Sequence, residues 1–335
     1  MRKLKWGVLS VAKIGTVKVI PAMQRGERSE VVGIASRDLG RAQEAAQALG
    51  IPKAYGSYDE LLADPEIEAV YNPLPNHLHV EWSIRAAEAG KHVLCEKPIG
   101  LDAAEARKLL AARDRTGMVI QEAFMVRGHP QWLRAREIIR SGAIGELRAV
   151  QGFFSYFNAD PANIRNQADI GGGGVYDIGC YPIVGARYLF EQEPRRVSAL
   201  LERDPVMKTD RLASALMEFP GGQASWMCST QLVGYQRLQA FGTKGRIELQ
   251  IPFNAPPDKA CRLFVDDGSG LGDASAREEL LPVCDQYTIQ GDLFSECVQE
   301  GKTPEFPLED TVRNMEVIDA VYRSGATGQW VEIAV

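Results

Sequence analysis

The stretch Trp6-Gly-Val-Leu-Ser10-Val-Ala-Lys-Ile-Gly15 decides the fold. Residues 6–11 form a short apolar run that predicts a buried strand, and a helix begins near Ile14. A strand feeding through a turn of small residues into a helix lets backbone amides approach a pyrophosphate at the helix N-terminus. The usual fingerprint places glycine at three positions. Here Ser10 and Ala12 stand where the first two would be, and only Gly15 remains. Small side chains still permit close approach, and the setting between strand and helix gives the motif its weight. Ser10, Ala12, Lys13 and Ile14 are therefore candidates for holding a dinucleotide.

Outward from this turn, strand and helix patterns alternate to about residue 123, which predicts βαβ units and a parallel sheet. Glu30-Val-Val-Gly-Ile-Ala-Ser36 is the second strand, and Asp38 caps a helix that Gly50 ends. Ser57 and Glu60 have capping-box spacing, as do Asp102 and Glu105, with Gly117 closing the second of these helices. Strands are expected at residues 68–71, 92–95 and 118–123, and a helix at 76–89.

Beyond about residue 145 the order changes. Residues 147–157 read as a long aromatic-rich strand and 174–190 as a helix. Strand-like runs follow at 196–202, 213–219, 224–231, 237–241 and 246–251, with turns at Pro220-Gly-Gly222 and Gly242-Thr-Lys-Gly245. Residues 255–272, rich in Pro, Gly and Asp, are expected to loop, and 287–300 and 309–324 to be helical. Successive strands with few helices imply an antiparallel α+β domain. The expected organisation is an α/β Rossmann domain over 1–123, then an α+β domain with a large, mostly antiparallel open sheet over 124–335.

Composition narrows the function classes. A net charge of −6 argues against a dedicated nucleic-acid binder. The basic start is interrupted by Gly7, Ser10 and Lys13 with no clear cleavage site, and no run nears the ~18 to 20 apolar residues of a membrane span, so a cytoplasmic protein is expected. The six cysteines are scattered, with no Cys-x-x-Cys and no clustered His, so no metal site and mostly structural thiols are expected.

The second strand ends in Ser36-Arg37, where an acidic residue would meet the ribose 2′-hydroxyl of NAD. The guanidinium of Arg37 suits a 2′-phosphate instead, because its fork makes charge-assisted bonds to the oxygens. That points to NADP(H) as cofactor.

Two further segments carry chemistry. Ala89-Gly-Lys-His-Val-Leu-Cys-Glu96-Lys97-Pro98 ends at the carboxyl edge of a parallel strand, where open α/β sheets bind ligands. In Gly171-Gly-Gly-Gly174-Val-Tyr-Asp177-Ile-Gly-Cys-Tyr181-Pro182, a helix after the glycines puts Asp177 and Tyr181 on one face. With Asp64-Pro-Glu-Ile-Glu-Ala-Val70, Pro75-Asn-His-Leu-His79, Gly142-x-x-Gly145 and Gly242-Thr-Lys-Gly245, these segments run in an order that resembles the Gfo/Idh/MocA family of sugar and cyclitol oxidoreductases. The resemblance covers nearly the whole chain.

The resemblance implies that Lys97 lies at the nicotinamide and the reacting carbon, that a cis bond precedes Pro98, and that the open sheet forms subunit contacts in a homodimer or homotetramer. It adds Leu74, Pro75, Asn76, His79, Glu96 and Pro98 to the cofactor candidates. Where inositol dehydrogenases of the family carry His, this chain has Tyr181, as in the glucose–fructose oxidoreductase, NADP-dependent xylose dehydrogenase and dimeric dihydrodiol dehydrogenase branch. Ser36-Arg37 and Gln121-Glu-Ala-Phe-Met-Val-Arg127-Gly-His-Pro130 agree with that branch.

Tyrosine ordinarily ionises near pH 10, and a neighbouring ammonium favours the phenolate, so Tyr181 assisted by Lys97 would serve as acid and base on a sugar hydroxyl, with Asp177 fixing substrate or lysine. Arg127, His129, Arg165 and Asn166 are candidate substrate contacts, and Phe153, Phe154, Tyr156 and Phe157 would wall a sugar pocket or belong to the sheet core. The expected activity is NADP(H)-dependent oxidation of a sugar hydroxyl, foremost aldose C1 to the lactone. The alternatives are an aldose–aldose oxidoreductase with retained cofactor, a trans-dihydrodiol dehydrogenase, and a non-catalytic NADP-sensing regulator.

Overall fold

A computed structural model of the chain describes residues 2–333. The chain forms two compact units. One runs to Met125 and resumes over Asp285–Val312; the other takes Val126–Cys284 and resumes at Arg313.

The first unit alternates strand and helix: β1 (Leu4–Leu9), α1 (Ile20–Arg25), β2 (Ser29–Ala35), α2 (Leu39–Leu49), β3 (Lys53–Tyr55), α3 (Tyr58–Ala63), β4 (Ala69–Asn72), α4 (His79–Glu88), β5 (His92–Cys95), α5 (Ala103–Thr116) and β6 (Ile120–Glu122). The expected caps are present: Asp38 accepts from the Arg41 amide, Ser57 from that of Glu60 and Asp102 from that of Glu105. Gly50 and Gly117 end their helices in the left-handed conformation. All strands pair in parallel in the order β3-β2-β1-β4-β5-β6. The order reverses between β1 and β4, and ligands of such sheets bind outside the strand ends at that point. The three-residue β3 went unread because it is too short to show alternation; pairing with β2 makes it a strand.

The second unit opens with α6 (Pro130–Arg140), a helix not anticipated from the sequence, and continues through β7 (Leu147–Phe157) and α7 (Cys180–Phe190). Further strands follow: β8 (Arg196–Arg203), β9 (Asp210–Phe219), β10 (Gly222–Ser229), β11 (Gln231–Gly242), β12 (Arg246–Leu249), β13 (Arg262–Asp266) and β14 (Arg277–Leu280). Then come α8 (Gln286–Glu300), α9 (Leu308–Thr327) and β15 (Val331–Glu332). The sheet order is β14-β13-β12-β11-β7-β10-β9-β8-β15, antiparallel except for the β7–β10 pair. The mostly antiparallel open sheet is as expected, with one correction. The loop expected over 255–272 contains β13, whose Arg-Leu-Phe-Val-Asp run is masked by polar flanks and is held by pairing with β12 and β14. Every residue of α7 is buried.

Residues 285–312 depart from the continuous second domain expected over 124–335. The buried stripe of α8, including Tyr287, Gly291 and Phe294, covers β1 and β2 of the first sheet. The Phe294 ring lies 5.0 Å from that of Trp6, and Ser295 Oγ lies 3.1 Å from Ser29 Oγ. Asp292 accepts from the amides of Glu27 and Arg28. Such long-range pairing leaves no local signal. Among the described residues no helix is long and apolar enough to cross a membrane.

Candidate active site

In the first unit the turn after β1 needs a left-handed residue, and Ser10 supplies it at φ 90°. Its amide donates to the Ala35 carbonyl (2.9 Å), and its Oγ accepts from the Ala12 amide (3.3 Å). Ser10 thus makes the bend of the missing first glycine and holds it by its own hydroxyl. The helix beyond opens with a wide π turn over Gly15–Val19. A Cβ on Gly15 would meet Tyr71 at an ordinary 3.5 Å, so the surviving glycine is not a steric necessity. Lys13 is exposed and Ile14 half-buried.

At the end of β2, Ser36 is buried and its Oγ accepts from the Asp38 amide (3.2 Å). Asp38 is engaged as the α2 cap through its bond from the Arg41 amide, and Arg37 and Arg41 are exposed on either side of it. Burial pushes the Tyr58 phenol up, while Arg37 and Arg41 pull it down, which places both guanidiniums around one site. Arg41 was not singled out from sequence; its position four residues beyond Arg37, in the first turn of α2, was the available signal. A left-handed small-residue turn beside two exposed cations fits a dinucleotide carrying an extra phosphate.

The strand ends of β4 and β5 are tied together. His79 is 1% exposed, with Nδ1 at 2.7 Å from the Pro98 carbonyl and Nε2 at 2.6 Å from that of Leu74. Burial holds its pKa down, to about 4, against the pull of the two carbonyls, so the ring is neutral near pH 7 and donates to one of them. With both nitrogens facing backbone, His79 braces the loops of Leu74 and Pro98 rather than offering a ring nitrogen to a ligand. This corrects its expected place among the cofactor contacts. Pro75 and Asn76 are half-buried at the start of the same segment.

Glu96 Oε1 accepts from the buried Tyr71 hydroxyl (2.6 Å), and the Lys97–Pro98 bond is cis. The Ile99 amide donates to Glu122 (2.9 Å). Asn72 bonds the His79 carbonyl and Ser83 (both 3.1 Å). Tyr71, Asn72 and Glu122 were not anticipated; polar residues ending apolar strand runs are the trace they leave in sequence.

In the second unit, α7 is preceded by a π turn over Val175–Gly179, which carries Asp177. One oxygen of Asp177 accepts from Arg165 Nε (2.9 Å) and the other from the Tyr156 hydroxyl (2.5 Å). The adjacent Asp177 carboxylate holds Arg165 above its usual range. Tyr181 is buried, its ring 5.7 Å from Phe154 and 5.5 Å from Phe253.

The glycine run has a steric reason. A Cβ on Gly172 would stand 2.7 Å from the Arg165 carbonyl oxygen and 2.6 Å from that of Gln167, and the Gly173 amide donates to Arg165 (2.9 Å). The polar loop can therefore lie directly on the run. Asp210, also not anticipated, is buried and accepts from the Val175 amide (2.6 Å) and the Tyr322 hydroxyl (3.0 Å), which secures the start of the π turn.

Other expected substrate contacts have structural positions. His129 is buried as the N-cap of α6, Nδ1 accepting from the Gln131 amide (3.2 Å), and burial lowers its pKa to about 4. Asn166 is buried and donates to the Asp160 carbonyl (2.8 Å), holding its own loop. Arg127 is buried, and its carbonyl accepts from Tyr188 (3.5 Å). The aromatic stripe of β7 divides: Phe154 and Tyr156 share the inner face, whereas Phe153 pairs with Tyr235 and Phe157 is exposed.

Comparison with known proteins agrees with this architecture. Residues 4–124 match the model of the oxidoreductase family with an NAD-binding Rossmann fold, and residues 132–248 that of the GFO/IDH/MocA C-terminal domain. The chain is 52% identical over 331 residues to an uncharacterised oxidoreductase of Rhizobium meliloti, covering 98% of this chain and 99% of that protein. It is 39% identical over 335 residues to a D-xylose 1-dehydrogenase (NADP(+)) of Haloferax volcanii, covering 98% and 100%. A 3-ketoreductase from Actinomadura kijaniata, solved in complex with NADP and TDP-benzene, superposes with a TM-score of 0.90 at 30% identity over 96% of this chain and 98% of that one. With its parallel nucleotide-binding sheet, its mixed nine-stranded sheet and these matches across both, the chain belongs to the Gfo/Idh/MocA family of NAD(P)-binding sugar oxidoreductases.

Proposed function

We propose that the protein is an NADP(H)-dependent sugar dehydrogenase that oxidises an aldose at C1 to the lactone, with Tyr181 as acid and base and Lys97 assisting. The exposure of Arg37 at the end of β2 and of Arg41 in the first turn of α2 is the observation that carries the cofactor preference. When bound, the nicotinamide supplies the hydride acceptor or donor. The chain's own groups handle the proton. Tyr181 takes it from the sugar hydroxyl during oxidation and returns it to the carbonyl in reduction. Lys97 orients the reacting oxygen, and its ammonium favours the phenolate. Its segment is held by the Glu96–Tyr71 hydrogen bond. Asp177 serves as an anchor, because both its oxygens already accept hydrogen bonds.

The 39% identical D-xylose dehydrogenase supports an aldose substrate. The outer sheet face, with Leu200, Leu216 and Met227 exposed, supports association of copies through that sheet. The test is NADPH-linked fluorescence with a panel of aldoses, ketoses, inositols and diols in both directions. An aldose with NADP is expected to give the highest turnover. Lys97→Met and Tyr181→Phe should each lower kcat by about 100-fold or more with NADP(H) binding nearly unchanged. Full turnover in either variant would refute the assignment.

A further inference from the structure

We propose that Tyr156 is a positioning residue for proton transfer at Tyr181, acting through Asp177, one helical turn before Tyr181, to fix the Arg165 guanidinium that Asp177 binds. The inference rests on Tyr181 being the acid and base.

The register of two elements brings these groups together. Phe154 and Tyr156 lie two apart on the inner face of β7, roughly 6.6 Å along the strand. Asp177 and Tyr181 lie four apart, roughly one turn and 6 Å along a helix. Phe154 meets the Tyr181 ring and Tyr156 meets Asp177, so the strand pair matches the helix pair rung for rung. Each end of the chain of contacts is pinned. The Arg165 carbonyl accepts from the Gly173 amide, and the neighbouring Asn166 side chain is tied to the Asp160 carbonyl. The Val175 amide at the start of the π turn is held by Asp210.

The hydrogen-bond inventory then dictates roles. Asp177 accepts from Tyr156 on one oxygen and from Arg165 Nε on the other, which fixes the carboxylate between these two donors. Arg165 engages Asp177 through Nε, and its side chain is half-exposed. Burial and the adjacent carboxylate push the Tyr156 phenol up, so it stays protonated and acts only as the donor that anchors Asp177.

The charged and titratable groups gathered at Asp177 are Tyr156 on β7, Arg165 on the loop and the buried Cys180 and Cys228, the Cys228 thiol pushed well up by burial, while Lys97 is the second cation assigned to Tyr181 above. Arg165 is the cation of the Asp177 set. Its charge favours the phenolate, and without the Tyr156 bond Asp177 is free to swing and draw the guanidinium away.

The experiment records kcat against pH, in the oxidation direction, for the holoenzyme and for Tyr156→Phe, Arg165→Gln and Tyr181→Phe, using the best aldose of the panel. Thermal unfolding of each variant is measured alongside. In Tyr156→Phe the rising limb of kcat is expected to move up by about one pH unit, giving a roughly tenfold loss at neutral pH that is recovered at high pH, with KM changed less than threefold. Arg165→Gln should move the limb at least as far. A loss independent of pH, or an unmoved limb in both variants while Tyr181→Phe is inactive, would overturn the role of Tyr156 and leave the functional assignment standing. An active Tyr181→Phe enzyme would overturn both.

Discussion

Replacing Asp210 by Asn should remove a pH dependence of stability that the wild-type protein carries between pH 4 and 6. The Asp210 carboxyl is buried, and desolvation raises it from 3.8 to about 6 even though the Val175 amide and the Tyr322 hydroxyl favour its charged form. Because the folded pKa lies above the unfolded one, the folded state binds the proton more tightly. The associated stability is complete below the unfolded pKa of 3.8 and is lost as pH rises through about 6. A shift of that size corresponds to about 3 kcal/mol at 1.36 kcal/mol per unit. Asn keeps the shape and an acceptor oxygen but cannot titrate. The stability of Asp210→Asn relative to wild type should therefore rise by about 2 kcal/mol from pH 4 to pH 7. Native-state hydrogen exchange of β9 and β10 amides, corrected for intrinsic rates at each pH, reads this in the second unit separately from the first. A difference flat to within about 0.5 kcal/mol over that range would show that the carboxyl is not desolvated as its surroundings imply.

Two further outcomes follow from the geometry. Arg37→Ala and Arg41→Ala should each lower the ratio of NADP to NAD efficiency by about tenfold or more, in line with a lost charge-assisted contact; an unchanged ratio in both would exclude the end of β2 as a phosphate site. Gly172→Ala forces a Cβ against two backbone carbonyls and should cost about 1–3 kcal/mol. Limited proteolysis within 158–170 should accelerate with it, and a variant with wild-type stability would contradict the close packing of that loop.

Much of the nucleotide-binding unit was legible because its signals are local. A buried parallel strand shows as a continuous apolar run, and Asp38, Ser57 and Asp102 announce their helices through side-chain-to-backbone bonds within three residues. The degraded fingerprint was legible for the same reason, since Ser10 needs only its own neighbours to hold the left-handed turn. Lys97, Asp177 and Tyr181 stood out from ordered motifs spread along the chain.

What stayed illegible depends on partners far away in sequence. The α8 helix looks like any amphipathic segment, and only Trp6, Ser29 and the amides of Glu27 and Arg28 draw it to the first unit. The imidazoles of His79 and His129 are buried, both nitrogens of His79 facing backbone carbonyls and Nδ1 of His129 accepting from the Gln131 amide, partners that no local pattern announces. By itself the sequence determined the two architectures, the family and the residues best suited to move a proton, because periodicity, capping and motif order need no tertiary contact. The tertiary structure alone decided that Tyr156 and Arg165 donate to Asp177 and that Asp210 secures the start of the turn that carries it. Those bonds join residues 12 to 35 positions apart, and a carboxylate's role is settled by the donors that surround it once it leaves water.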